Sequence, residues 1–180
     1  MSELLSRSSR GYKKMRDLKE GVVGLKNNSL YCYMNAILQC LMPIEDLRDY
    51  YLQRNYKRFD NTKCLSNTFD YSDGMSEFFN EAFDCNARSQ VILNPTQLKN
   101  LIRRLFYPTM QHDSHEFFIH VLSQLQDEET PKKSVMFNGE VTRENEHRSL
   151  GAICKEYFDS YPSCIDRLFM GIIRNTVRCG

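Results

Sequence analysis

The chain has no excess of charge of either sign. Its 24 lysines and arginines stand against 23 aspartates and glutamates, a formal net charge of +1 over 180 residues. That balance provides no field to attract nucleic acid or an anionic membrane. No apolar run approaches the roughly 20 residues that a bilayer-spanning helix needs. The first residues lack the apolar core of a signal peptide, because Leu4-Leu5 is followed at once by SRSSRGYKK. There are no internal repeats. The seven cysteines form no CxxC pair and are irregularly spaced. Without secretory signals, that usage points to free thiols in a reducing compartment and leaves no four-ligand zinc set. These absences predict a soluble intracellular protein, cytoplasmic or nuclear, with no cofactor and no membrane or nucleic-acid partner.

What is present is ordinary globular material: 41% hydrophobic and 26% charged residues, enough for a sizeable core. Residues 1–20 are polar and mildly basic with no apolar face, and are expected to be a flexible extension. From there the apolar periodicity is mostly helical. Met34, Ile37, Leu38 and Leu41 share one face of a helix that ends before Pro43. A second short helix is expected over Ile44–Gln53, and a loop over Asn55–Asp73. Met75, Phe78, Phe79, Ala82 and Phe83 mark a third helix. Asn94-Pro95 reads as an N-cap followed by a first-turn proline, opening a helix on Leu98, Leu101, Ile102 and Leu105. The strongest helix starts near Gln111–Glu116, with Asp113 as a capping residue and a stripe of Phe117, Phe118, Val121, Leu122 and Leu125. Glu128–Ser149 is charged and aperiodic and is expected to be a loop or insertion. Tyr157–Leu168 has helical character interrupted by Pro162, and Ile172–Cys179 alternates weakly like a strand. β character is thus expected only at the end of the chain.

Chemistry concentrates in Gly21–Met42, GVVGLKNNSLYCYMNAILQCLM. The polar, turn-prone run Lys26-Asn27-Asn28-Ser29 leads into the helix, so Cys32 falls in its first turn. The positive end of a helix favours a thiolate over a thiol, which is the form that acts as a nucleophile. A thiolate that attacks a carbonyl needs donors for the developing oxyanion, and Asn27 on the preceding loop is placed to supply one. Cys40 lies eight residues along the same helix, about 12 Å by helical rise, beyond the roughly 7 Å Cα limit of a disulfide. The other cysteines read as structural.

The run GLKNNSLYCYMNAILQCL resembles the cysteine box of the ubiquitin-specific proteases, GLxNxGxTCYMNSxLQ. Gly24, Leu25, Asn27, Cys32, Tyr33, Met34, Asn35, Leu38 and Gln39 match it. A second block, QHDSHEFFIHVL, resembles the family's QQDAxEFLxxLL element through Gln111, Asp113, Glu116 and Phe117. A third, weaker match is Ile165–Cys179, similar to the segment that leads from LFxG into the first cysteine of the zinc-ribbon fingers. The three blocks stand in the family's order and separation.

The resemblance implies an α+β papain-like cysteine peptidase fold. Residues 21–180 would be the N-terminal, helical thumb part of the catalytic domain with the beginning of its β fingers. It further implies a thiol-dependent deubiquitinase acting on ubiquitin and ubiquitinated proteins. Cys32 would be the nucleophile and Asn27 the side chain of the oxyanion hole, with Gln111 and Asp113 along the channel that grips the ubiquitin tail. Among the departures from the pattern, Ser29 stands for glycine, Tyr31 for a small threonine and His112 for the second glutamine. A positive φ at Ser29 would be strained, and Tyr31 would crowd the cleft. The family's catalytic histidine has no counterpart here, since His112, His115, His120 and His147 all read as surface or structural. The expectations are therefore a piece of an active deubiquitinase, a non-catalytic ubiquitin-binding or regulatory remnant, or one half of a site whose palm a second chain supplies.

Overall fold

The computed structural model describes residues 23–83, 92–131, 150–160, 163–171 and 173. The expected N-terminal extension over 1–20, most of the expected insertion and the expected strand over 172–179, Ile173 apart, lie outside these residues. The described chain is mostly helical with one small parallel sheet. β1 (Gly24–Leu25) precedes α1 (Cys32–Leu41), α2 (Glu45–Leu52) and α3 (Asp70–Phe83). β2 (Ile92–Leu93) and α4 (Thr96–Ile102) follow, then α5 (Ser114–Glu129), α6 (Leu150–Ser160) and α7 (Cys164–Phe169).

The periodic apolar positions define the core as expected for α1, α3 and α5. Met34, Leu38, Met75, Phe78, Phe79, Phe117, Val121 and Leu125 are all buried. Each such large side chain contributes roughly 1.5–3 kcal/mol through removal of apolar surface from water. α3 and α5 are the central pair: α3 packs on α2, α4 and α5, and α5 also meets α1 and α7. Gly74 lets α3 and α4 close up, because a Cβ there would come within 2.8 Å of Leu98 Cδ2.

Four expectations are corrected. β structure is not confined to the end of the chain, because Gly24 pairs with Ile92 and Leu25 with Leu93 in parallel. Two-residue strands are too short to leave a period-two signal. Asn55–Asp73 is not all loop: it holds short 3₁₀ turns at Asn55–Arg58 and Asn61–Lys63, and α3 already begins at Asp70. Asn94 does not cap α4. The cap position is Pro95, and the Asn94 carboxamide turns instead toward Lys99.

The fourth correction concerns Glu128 and Glu129, which close α5 instead of opening a loop, and are buried. Glu128 accepts hydrogen bonds from the Tyr71 and Ser72 amides, both at 2.8 Å, and so satisfies the free N–H groups at the start of α3. Glu129 does the same for α7 by accepting from the Cys164 amide at 2.9 Å. Two adjacent carboxylates at the end of one helix thus fasten the beginnings of two others.

Candidate cysteine-centred site

The site is built on the loop between β1 and α1. The loop leaves β1 with the Lys26 amide still donating to the Leu93 carbonyl at 2.7 Å, and the Leu30 amide then donates to the Pro108 carbonyl at 3.2 Å. Helix α1 begins immediately afterwards, with Asn35 N–H donating to the Tyr31 carbonyl at 2.9 Å. Two polar residues one turn apart on α1 reach back to the segment before the loop. Gln39 Nε2 donates to the Val23 carbonyl at 2.7 Å, and Asn35 Nδ2 makes a longer 3.5 Å approach to the Leu25 carbonyl. Their four-residue spacing places both on one face.

Cys32 is the first residue of α1, exposed and free. The N-cap residue Tyr31 makes no side-chain cap hydrogen bond, and first-turn amides have no intrahelical acceptor. Cys164 shows the contrasting environment. Burial and the neighbouring Glu129 charge push its thiol up to about 12, which keeps it protonated and inert.

Asn27 Oδ1 accepts a hydrogen bond from the Tyr31 amide at 3.0 Å. Only the oxygen of a carboxamide can accept from an N–H, so this contact also decides which end of the amide is left to donate: Nδ2. Ser29 carries no strain, since Arg54 (φ 52°) is the one non-glycine residue with positive φ among the described residues. The Tyr31 ring is buried, 6.4 Å from that of Tyr33.

The second sequence block is brought against the first by aromatic packing. Tyr33, next to Cys32, lies 5.5 Å from the Phe117 ring and 5.2 Å from the His112 ring, both edge-on. Phe106 completes the cluster at 5.7 Å from Tyr33 and 5.7 Å from Phe117. Burial, with Tyr31 adding to it, pushes the Tyr33 hydroxyl up to about 12. His112 also shares a hydrogen bond with the Tyr107 carbonyl at 3.1 Å, and His120 shares one with the Tyr71 hydroxyl at 2.8 Å. Asp113 caps α5 through one oxygen: Oδ1 accepts from the His115 amide at 2.6 Å and the Glu116 amide at 3.3 Å. Oδ2 takes part in neither bond. Gln111 is exposed on the segment leading into α5.

One residue of this site went unseen in the sequence. Lys99, in α4, is buried, and its Nζ donates to the Lys26 carbonyl at 2.9 Å and to Asn94 Oδ1 at 2.7 Å. Asn28 Oδ1 lies at 3.5 Å and the Tyr31 ring centre at 4.8 Å. Burial, reinforced by the nearby Lys26 charge, lowers the ammonium pKa from its ordinary value. The signal that could have exposed it is its position beside Leu98, in the last turn of the short helix α4.

Comparison with known proteins agrees with the two sequence blocks. The family model "Ubiquitin carboxyl-terminal hydrolase" matches residues 23–180. The chain belongs to the ubiquitin carboxyl-terminal hydrolase family, whose members are cysteine-type deubiquitinating hydrolases. It is 29% identical over 170 residues to "Ubiquitin carboxyl-terminal hydrolase 2" of Rattus norvegicus, a match covering 89% of this chain and 26% of the relative. It is 30% identical over 176 residues to "Ubiquitin carboxyl-terminal hydrolase 12" of Saccharomyces cerevisiae, covering 88% and 14% respectively. The chain thus spans about a quarter or less of the length of these relatives. Among the described residues no helix is long and apolar enough to cross a membrane.

Proposed function

We propose that residues 21–180 form the nucleophile-bearing thumb part of a papain-like, thiol-dependent deubiquitinase. Its substrates are peptide and isopeptide bonds at the C-terminal glycine of ubiquitin. The observation that carries this reading is the Asn27–Tyr31 hydrogen bond. It leaves a carboxamide N–H₂ free on the loop that delivers an exposed first-turn cysteine.

In the proposed reaction the Cys32 thiolate attacks the glycine carbonyl carbon, forming an S–C bond while the π electrons move to oxygen. Asn27 Nδ2 and the first-turn amides of α1 donate to that oxyanion. Collapse expels the lysine amine, which takes up a proton, and leaves a thioester that water hydrolyses. The proton shuttle is assigned to a histidine outside the site described above. His112 and His120 are engaged with Tyr107 and Tyr71 and are not assigned that role.

Gln111 and the Oδ2 side of Asp113 are assigned to the backbone of the extended ubiquitin tail. Exposed Leu30, Tyr107 and Met110 support this, because the Leu30–Pro108 hydrogen bond joins the segments that carry them. The test is exposure of the chain to ubiquitin bearing a C-terminal electrophile. Wild type is expected to label slowly, Asn27→Ala more slowly when the trapped adduct carries an oxyanion, and Cys32→Ala not at all. Labelling that survives Cys32→Ala overturns the proposal.

A further inference from the structure

A buried ammonium is expensive to desolvate and persists only where its donors are matched. Lys99 Nζ has three N–H donors and faces three oxygens, those of Lys26, Asn28 and Asn94, the Asn28 contact being the longest at 3.5 Å. No carboxylate is among them, so this is not an ion pair. Two of the three acceptors belong to the residues on either side of Asn27. The ammonium also sits over the ring of Tyr31, whose amide holds Asn27 Oδ1. The hydrogen bond that the Asn27 side chain accepts, and both of its chain neighbours, therefore involve residues that Lys99 touches. Asn94, directly after β2, contributes the shortest of the three contacts from the β2 side of the β1–β2 pair.

We propose that Lys99 is the positioning residue of the oxyanion loop: it fixes Lys26, Asn28 and Tyr31 so that the Asn27 N–H₂ is held ready for the tetrahedral adduct at Cys32. This rests on Asn27 being the oxyanion donor. Lys99 touches neither the substrate carbonyl nor the cysteine; it acts through the loop. Among the described residues, the contacts of its ammonium are with neutral oxygens and the Tyr31 ring.

Two ubiquitin probes separate this role from mere support of the fold. A C-terminal aldehyde adds the Cys32 thiol across its C=O: the S–C bond forms, the π bond breaks and the oxygen takes the thiol proton. The resulting adduct carries the oxygen that Asn27 would stabilise. A C-terminal propargyl amide is attacked at an alkyne carbon that bears no oxygen. In the full chain, Lys99→Met is expected to weaken aldehyde binding at least tenfold while changing the propargyl labelling rate less than twofold. Adding Lys99→Met to Asn27→Ala is expected to weaken aldehyde binding less than twofold further.

Equal loss with both probes, or additive losses in the double variant, would overturn the positioning role. If Asn27→Ala itself leaves aldehyde binding unchanged, the oxyanion reading of Asn27 fails, and the role of Lys99 with it. If Asn27→Ala weakens binding and Lys99→Met does not, only the Lys99 proposal fails. Should Lys99→Met not fold, Asn94→Ala decides, since it removes one acceptor from an exposed position: a selective loss of aldehyde binding supports the proposal and none overturns it.

Discussion

The Tyr31 amide donates to Asn27 Oδ1 at 3.0 Å, closing a one-turn loop immediately before Cys32. This contact turns a mobile carboxamide into a fixed one, with the acceptor end engaged and the donor end spare. Asn27→Asp separates the two ends, because a carboxylate still accepts from Tyr31 but has nothing to donate. Transfer of ubiquitin from a small-molecule thioester to Cys32 is expected to slow roughly 100-fold, the order found when one oxyanion donor is removed. Thermal unfolding should stay close to wild type. Wild-type transfer by Asn27→Asp would contradict the donor role.

Asp113 caps α5 through Oδ1, and Oδ2 takes part in neither cap bond. Asp113→Ala should destabilise the chain by about 1 kcal/mol, the usual cost of a lost N-cap. Asp113→Ser keeps a capping oxygen and should unfold near wild type in urea, yet bind ubiquitin as weakly as Asp113→Ala. If Asp113→Ser binds normally, the residue is a cap and nothing more.

Glu128 gives the chain a pH dependence of definite sign. Burial pushes its carboxyl from 4.5 up to about 7, against the lowering pull of the Ser72 and Tyr71 hydrogen bonds. Between those two values the folded chain holds a proton that the unfolded chain has released. Stability therefore falls as pH rises through that window, and the contribution is complete only below the unfolded value. Burial raises Glu129, Asp127 and Asp166 in the same direction, while the lowered pKa of His120 works the opposite way. Comparison with Glu128→Gln isolates the one group. From pH 4.5 to 7.5, wild type should lose about 1–3 kcal/mol more unfolding free energy than Glu128→Gln. Parallel profiles for the two proteins would exclude the mechanism.

The two sequence blocks are held together by rings. Phe117 is almost fully buried and touches both Tyr33 and Phe106. Phe117→Ala should cost about 3–5 kcal/mol, the range for an aromatic removed from a core. Half-buried Phe118 should cost clearly less when changed in the same way. Equal losses in chemical denaturation would place the junction elsewhere.

Much of this was legible in the sequence because it repeats locally. The stripes of α1, α3 and α5 recur every three to four residues, and Asp113 sits three residues before Glu116, so those helices and that cap read directly. Lys99 did not, since a lysine beside Leu98 looks solvated until the Lys26 carbonyl and Asn94 arrive from distant segments. The β1–β2 pair joins residues 24–25 to 92–93, and two residues a side leave no pattern to detect. Glu128 and Glu129 looked like the start of a charged loop. Burial of a carboxylate makes sense only once the amides of Tyr71 and Cys164 are seen to need acceptors. Asn94 differs for a related reason: an asparagine before Pro95 has the chemistry of a cap, but its Oδ1 is taken by the Lys99 ammonium.

The central claim is that Cys32 is the group that attacks ubiquitin's C-terminus, and Cys40 provides its internal control. Both thiols are exposed, on the same helix, so simple accessibility does not distinguish them. The direct measurement is peptide mapping by mass spectrometry after reaction with ubiquitin propargyl amide, beside a reaction with iodoacetamide. The account expects iodoacetamide to modify both cysteines and the ubiquitin probe to modify Cys32 alone, with no adduct in Cys32→Ala. A ubiquitin adduct on Cys40, or one that persists in Cys32→Ala, would contradict it.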